Sequence, residues 1–577
     1  MKFLLELNTY KFINMKRLIL LLIVFTLVSS CSEDWFEIPQ KGVVSMDDYY
    51  KTEEHAEAAI IAVYNQVVNR YNRGAGAQNF SYSPVTLMYN LPSDDIYHGG
   101  SAPGSSDWAQ SINEFRYTTD NEVVRSTYRS FYMMIYAANL LITNYDQNDS
   151  NANIARYVAE ARVWRAWAHM MLAIGWKNPP LVTEVLQGDA RPANTPFEEV
   201  MDFVISEFAD AARYIPSKPN LTDKNSAVRL SKEAVYSFMG KAQVHAGRYA
   251  DAATNLKTNV IDKGLYDLVP GTEMFNLNHA DGDGSVEKVF EFNNYPNTSL
   301  SSGTMGQLTL GQMVDHWHWR LDRFVTIPTA VYNSGWGCGQ VSGDFARALI
   351  ANDGFDSYRR KAWFLTYDEL LYDWAWPSDA EGLTLEEKKQ DRRRGVDPGG
   401  AGLFGNEGYF MVKRVAIMKD KFPTGNIFMN NTVIMRYAEV LFLFAEASVM
   451  SGQYQAEALE ALNKIQIRAG SNHISTSLTL DEIKNEKRFE MWMEGTRFAD
   501  LVRWGDAESV LKNQYESLPT FKDMIGRDGK TEHEEFIEWN NYNENRDYGF
   551  KSNKHELFPY PMLELQINPN LVQNPGW

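Results

Sequence analysis

Apolar residues recur at helical spacing over most of this chain, and that periodicity constrains the fold more than any other feature. In the segment 47–70, Ala59, Ile60, Val63, Tyr64 and Val67 share one stripe. Ahead of them, Asp47, Asp48, Glu53 and Glu54 supply the negative charge that a helix N-terminus favours. The segments 122–145, 155–176, 195–214, 231–247, 249–263, 433–451, 455–469 and 480–502 read the same way, and strand signals such as 289–292 are few and short.

Some of these helices come in pairs. Tyr236, Met239, Gly240, Gly247, Tyr249, Ala252 and Leu256 fall close to the tetratricopeptide spacing, and the Gly-Arg-Tyr at 247–249 is echoed by Gly-Gln-Tyr at 452–454. Small residues let two antiparallel helices approach, and glycine turns the chain between them. An ordinary helical hairpin is the plainer alternative at each place. Two stretches lack the period, 81–116 and 265–428. The pattern therefore predicts a mostly α fold: a tetratricopeptide-like helical-repeat scaffold with long irregular loops and a few short strands.

Composition narrows the function. The chain has 577 residues and a formal net charge of -18, so it repels phosphate backbones and is not expected to bind nucleic acid. No nucleophile elbow, phosphate loop or dinucleotide fingerprint is present, and no catalytic residue is assigned. With 74 acidic residues, carboxylate pairs are easy to draw and carry no weight, which leaves a glycoside hydrolase as the enzymatic alternative.

The first thirty residues give an address. Lys16 and Arg17 precede an apolar run at 18–28, then Ser29, Ser30 and Cys31. This order reads as a removable secretory signal over residues 1–30, with Met15 as an alternative start. Val28-Ser29-Ser30-Cys31 resembles a bacterial lipobox, which implies a lipid on Cys31 and a tether over 31–46. Ordinary cleavage beside an incidental cysteine is the alternative. Cys338, the one other cysteine, then has no intrachain partner and is expected to be buried. The acidic start Ser32-Glu33-Asp34 resembles sequences that send lipoproteins to the outer face of the outer membrane.

Four motifs carry a family resemblance. The ending runs Leu557-Phe558-Pro559-Tyr560-Pro561, Glu564, Asn568-Pro569-Asn570-Leu571 and Gln573-Asn574-Pro575-Gly576-Trp577. Before it come Glu486-Lys487-Arg488-Phe489-Glu490, Glu494-Gly495-Thr496-Arg497-Phe498 and Asp500-Leu501-Val502-Arg503-Trp504-Gly505. Arg436-Tyr437-Ala438-Glu439 and Ala159-Glu160-Ala161-Arg162 complete the set. Together they resemble the SusD/RagB family of outer-membrane glycan-binding lipoproteins. The resemblance implies a SusD-like N-terminal helical region at 47–270 and a RagB/SusD C-terminal region at 271–577. It also implies a lid, facing the cell exterior, over a SusC-like TonB-dependent transporter, which binds oligosaccharide, delivers it to the barrel and needs no cofactor. The motif residues themselves read as structural. Glu490, Glu494, Arg497 and Arg503 have the spacing to pair along one helix. Phe489, Trp492, Met493, Leu501 and Trp504 would face the core, and the proline-rich end would be a non-helical clamp.

Binding a sugar without chemistry needs an aromatic platform and polar groups for hydroxyls. Trp108, Trp317, Trp319 and Trp336, with Tyr97 behind them, are the candidates, each weighed against simple burial. Asp94 and Asp95 could accept hydroxyl hydrogen bonds or cap a turn. His316 and His318 lack further zinc ligands nearby, so no metal is expected there. Asp281 and Asp283 leave open only a loose calcium site. An aromatic cleft also suits peptides, so a peptide- or other nutrient-binding lid is the second reading.

Overall fold

The computed structural model describes residues 49–73, 83–98, 106–220, 228–294, 335–366, 369, 409–415, 417–421, 428–512, 524–525, 531–532 and 549–577. The chain divides after His55, and the scaffold belongs to the unit Ala56–Trp577. In order, its helices are α1 (Glu53–Arg73), α2 (Pro84–Asn90), α3 (Asp107–Asn113), α4 (Glu122–Asn144), α5 (Ala152–Trp176) and α6 (Phe197–Ala211). There follow α7 (Lys232–His245), α8 (Tyr249–Asn259), α9 (Gly343–Asp353), α10 (Tyr358–Trp363), α11 (Tyr437–Ser451) and α12 (Gln455–Ala469). The last are α13 (Leu480–Glu490), α14 (Arg497–Trp504), α15 (Ala507–Leu511) and α16 (Met562–Ile567). The described strands are β1 (Ile96–Tyr97), β2 (Lys288–Phe292), β3 (Gln340–Val341), β4 (Phe364–Thr366), β5 (Tyr409–Met411), β6 (Thr432–Arg436), β7 (Met524–Ile525) and β8 (Thr531–Glu532). They form antiparallel pairs, β1–β3, β2–β6, β4–β5 and β7–β8.

Helices α4 to α8 pack each on the next; α8 then packs on α11, and α11 on α12. The apolar stripe of α1 is buried through Ala56, Ala59, Ile60, Val63 and Val67, as its period predicts. α5 is buried almost all round, and its Trp164 ring lies 5.6 Å from Tyr64, 5.4 Å from Phe290 and 5.5 Å from Phe292. Both glycine-turned pairs form: α7–α8 turns at Gly247 (φ 71°) and α11–α12 at Gly452 (φ 77°). A side chain at Gly240 would run into Leu256, so α7 and α8 meet at a distance only glycine permits.

Several expectations change. Residues 433–436 are strand, not helix, because Thr432, Val433 and Met435 pair with Phe292, Glu291 and Phe290 of β2. The segment 480–502 is broken after Glu490, where Met493 (φ 62°) and Gly495 (φ 74°) turn the chain before α14. Glu490, Glu494, Arg497 and Arg503 therefore do not pair along one helix. Arg436 instead bridges Glu287, Glu490 (3.0 Å) and Glu494 (2.6 Å). Arg468 bridges Glu287 (2.8 Å) and Glu490 (2.5 Å), while Arg359 joins Asp353 (2.7 Å), Glu486 and Glu490 (3.4 Å). Lys413 closes the buried cluster on Glu494 at 2.6 Å. Trp504 is half-buried, its indole donating to Glu446 Oε1 at 2.9 Å.

The proline-rich end does clamp, but it contains α16, which starts directly after Pro561, where a missing N–H does no harm. The Trp176 indole donates to Pro559 O (2.8 Å), the Phe558 amide to Gly175 O (2.9 Å), and Asn574 Nδ2 to Trp176 O (3.2 Å).

Candidate functional site

Backbone pairing joins the two stretches that lack helical period. β1 follows closely on α2 and sets Ile96 opposite Val341 and Tyr97 opposite Gln340 of β3. The Ser342 amide adds a bond to Asp95 O at 3.2 Å. Asn113, at the end of α3, ties that helix to the strand. Its Oδ1 accepts from the His98 amide (2.8 Å), and its Nδ2 donates to Leu91 O (2.6 Å) and Ile96 O (3.3 Å). One two-stranded ribbon thus supports α3, which carries Trp108, and residues 335–339, which carry Trp336.

Trp336 is 48% exposed. Cys338, two residues on, is buried as expected, and its Sγ lies 3.8 Å from Trp336 O. Trp108 is half-buried and sits on a helix, not in a loop as expected: Asp107 opens α3, and Ala109 to Asn113 are buried beneath it. Tyr97 lies in β1. Its side chain, all of Trp317 and Trp319, and also Cys31, His316 and His318, fall outside the described residues.

Asp94 and Asp95, expected as hydroxyl acceptors, are both engaged by guanidinium groups. Arg497 donates to the two oxygens of Asp94 at 2.9 Å each, and Arg488 reaches Asp94 at 3.1 Å and Asp95 at 2.7 Å. Burial opposes ionisation of Asp94, but Arg497 and Arg488 outweigh it and hold its carboxyl below the usual range. Burial pushes Asp95 up to about 6, with Arg488 working against it and the charge of Asp94 adding to it. Asp95 is only 1% exposed, and Trp492 donates its indole N–H to Asp95 O at 3.1 Å. The acidic pair therefore fastens the ribbon to α13 and α14. Its partners stand about 400 residues downstream, 393 and 403 for the two nearest contacts, so no local signal in the sequence pointed to them.

The loose calcium candidate is likewise occupied by protein groups. Asp281 pairs with Lys419, while Asp283 pairs with Lys288 (3.3 Å) and accepts from the Asn431 amide (3.0 Å). Among the described residues, no group of three or more His, Cys, Asp or Glu is set to hold a metal ion, and no helix is long and apolar enough to cross a membrane.

A family model described as the SusD family matches residues 287–577, just over half of the chain. The chain belongs to the SusD family. The matched region starts at Glu287, whose carboxylate joins the buried cluster of Arg436 and Arg468. A second model, described as starch-binding associating with outer membrane, matches residues 49–243. This SusD-family chain is similar to a SusD-like protein of Bacteroides ovatus, 24% identical over 579 residues that cover 95% of this chain and 96% of the relative. Its fold is similar to that of a laminarin-binding SusD-like protein (TM-score 0.67, 22% identity, 92% of this chain and 100% of that one). It is also similar to surface glycan-binding protein A from Bacteroides thetaiotaomicron in complex with laminarihexaose (TM-score 0.68, 21% identity, 91% and 100%).

Proposed function

We propose that this SusD-family chain is a cell-surface glycan-binding lipoprotein. Lipid on Cys31 anchors it to the outer membrane, facing the exterior. It holds an oligosaccharide on the face built around the β1–β3 ribbon and delivers it, uncleaved, to a SusC-like TonB-dependent transporter. The observation that carries this reading is the half-exposed indole of Trp336 on a ribbon that also supports Trp108. The CH-rich face of a sugar ring stacks on such an indole, whose two torsions make it rigid at little entropic cost. Trp317, Trp319 and Tyr97 belong to the same proposed platform. Asp94 and Asp95 enter it as supports beneath the ribbon, their charges already met by Arg488 and Arg497.

Two of the similar solved structures are named for laminarin or contain laminarihexaose, which makes these the first probes. In calorimetric titration of the mature chain, Trp336→Ala is expected to weaken binding at least tenfold, about 1.4 kcal/mol, with an unchanged melting temperature. Unchanged affinity in both Trp336→Ala and Trp317→Ala would refute the platform. A glycan array without hits, together with co-purifying peptides, would move the reading to a peptide-binding lid. Sugar cleavage abolished by a single carboxylate substitution would make the protein a glycoside hydrolase.

A further inference from the structure

With Asp94 and Asp95 held by Arg488 and Arg497, the proposed platform needs other polar groups to meet a sugar's hydroxyls. α3 supplies them. Ala109 to Asn113 are buried, so Asp107 and Trp108 are the only residues of this helix that reach solvent. The Asp107 side chain is 60% exposed. A guest that reaches Trp108 from solvent therefore has a carboxylate beside it.

The end of α3 brings a cation back to the same place. The Phe115 amide donates to Ile112 O (3.2 Å) and the Arg116 amide to Ser111 O (2.9 Å), which closes the helix in a Schellman turn. Its pivot is Phe115 at φ 56°, where glycine is the usual residue. Such backbone persists only where its surroundings enforce it. The buried ring of Phe115 does so here, 5.9 Å from Phe498, 5.6 Å from Phe550 and 5.5 Å from His555. The reversal returns Arg116 to the start of α3, where one terminal nitrogen pairs with Asp107. Its Nε donates to Glu114 Oε2 (2.5 Å), and the other Glu114 oxygen accepts from Gln110 Nε2 (2.7 Å). Glu114 is buried, so the guanidinium is fixed from the protein side while 21% of the Arg116 side chain faces solvent. Among the described residues, nothing accepts from its Nη1.

Burial opposes the charge of Arg116, but its bonds to Asp107 and Glu114 outweigh that and keep it protonated. The Asp107 carboxylate accepts hydrogen bonds and Nη1 donates them, so the fixed pair suits two neighbouring hydroxyls of a sugar ring. Two carboxylates against one guanidinium leave a surplus negative charge, which disfavours uronate and sulfate groups. We infer that Asp107 and Arg116 bind neighbouring hydroxyls of a neutral glycan at the Trp108 end of the platform. This rests on the proposed glycan-binding function, and it names the polar contacts and the glycan class that the tryptophans alone leave open.

The test titrates laminarihexaose, cellohexaose, maltohexaose and hexagalacturonate into the mature full-length chain as wild type, Asp107→Ala, Arg116→Ala, Arg116→Lys and Trp336→Ala. Melting curves verify folding. Arg116→Lys keeps a charge for buried Glu114 but removes the planar fork, so it serves if Arg116→Ala fails to fold. Affinity for the best neutral probe is expected to fall about tenfold in Asp107→Ala and in the folded Arg116 variant, with the melting temperature of Asp107→Ala unchanged. Hexagalacturonate should bind wild type at least tenfold more weakly than that probe. Crystals soaked in the neutral probe should place hydroxyl oxygens within hydrogen-bond distance of the Asp107 carboxylate and Arg116 Nη1. Loss in Trp336→Ala with affinity retained in the Asp107 and Arg116 variants overturns the inference and leaves the platform standing. The reverse pattern supports the hydroxyl pair and removes Trp336 from the site. Hexagalacturonate binding as tightly as the best neutral probe overturns the glycan class. No binding of any probe at about 10 mM, the weak end of useful ligand affinity, overturns this inference and the platform together.

Discussion

Glu490 shows at the level of one residue how a buried charge is tolerated. It is fully buried, which penalises its ionised form, yet Arg468, Arg436 and Arg359 outweigh that penalty and hold its carboxyl down at about 2. A carboxylate depressed on folding stabilises the protein fully above its unfolded value of 4.5 and loses that contribution as pH falls toward 2. For Glu490 the effect is on the order of 3 kcal/mol. Melting temperature should therefore drop steeply between pH 4.5 and 2. Glu490→Gln leaves three guanidinium groups short of a partner and should destabilise by about 3–5 kcal/mol at neutral pH. Because its acid limb is flattened, the gap to wild type should narrow by pH 3, measured by calorimetry across the range. A gap that stays constant with pH would contradict the assignment.

Among elements, the helices were legible because their apolar period survives tertiary packing, and α1, α4 to α8 and α12 fall close to where it put them. The turns at Gly247 and Gly452 were legible for the same local reason. Elements fixed by distant partners were not. The β6 strand reads as the start of an apolar helix until β2 is placed beside it, α2, α3 and α10 are too short to show a period, and α9 lies inside the stretch 265–428 that reads as irregular. At the candidate site, the sequence indicated the exposed indole of Trp336 but not the guanidinium partners of Asp94 and Asp95, which arrive from α13 and α14. The α7–α8 pair offers a direct check. Gly240→Val places a branched side chain against Leu256 and should destabilise by about 1–3 kcal/mol, read as a lowered melting temperature. A wild-type melting curve would mean that the two helices do not approach as closely as described.

Across the whole molecule, the ribbon that supports the proposed platform is fastened by ion pairs from the C-terminal half. Asp94→Asn leaves Arg497 and Arg488 short of one charge and should cost about 3 kcal/mol. Because the same pairs fasten β1, any glycan affinity carried by the proposed platform should also weaken, whereas Glu490→Gln, which removes no partner of Asp94 or Asp95, should leave that affinity unchanged once folding is complete. A Trp336 surface that kept its affinity in Asp94→Asn would show that β1 and β3 hold it without help from α13 and α14.

The closing segment sets an order of events. Trp176 ends α5, which is buried almost all round, yet the partner of its indole is Pro559, 383 residues later. In a chain made from its N-terminus, α5 emerges long before that partner does, with an unpaired donor and apolar surface that invite association. The final turn of α5 is thus sealed only when residues 558–577 arrive. A nonsense mutation near the end should behave accordingly, giving insoluble or degraded protein instead of a slightly shortened folded one.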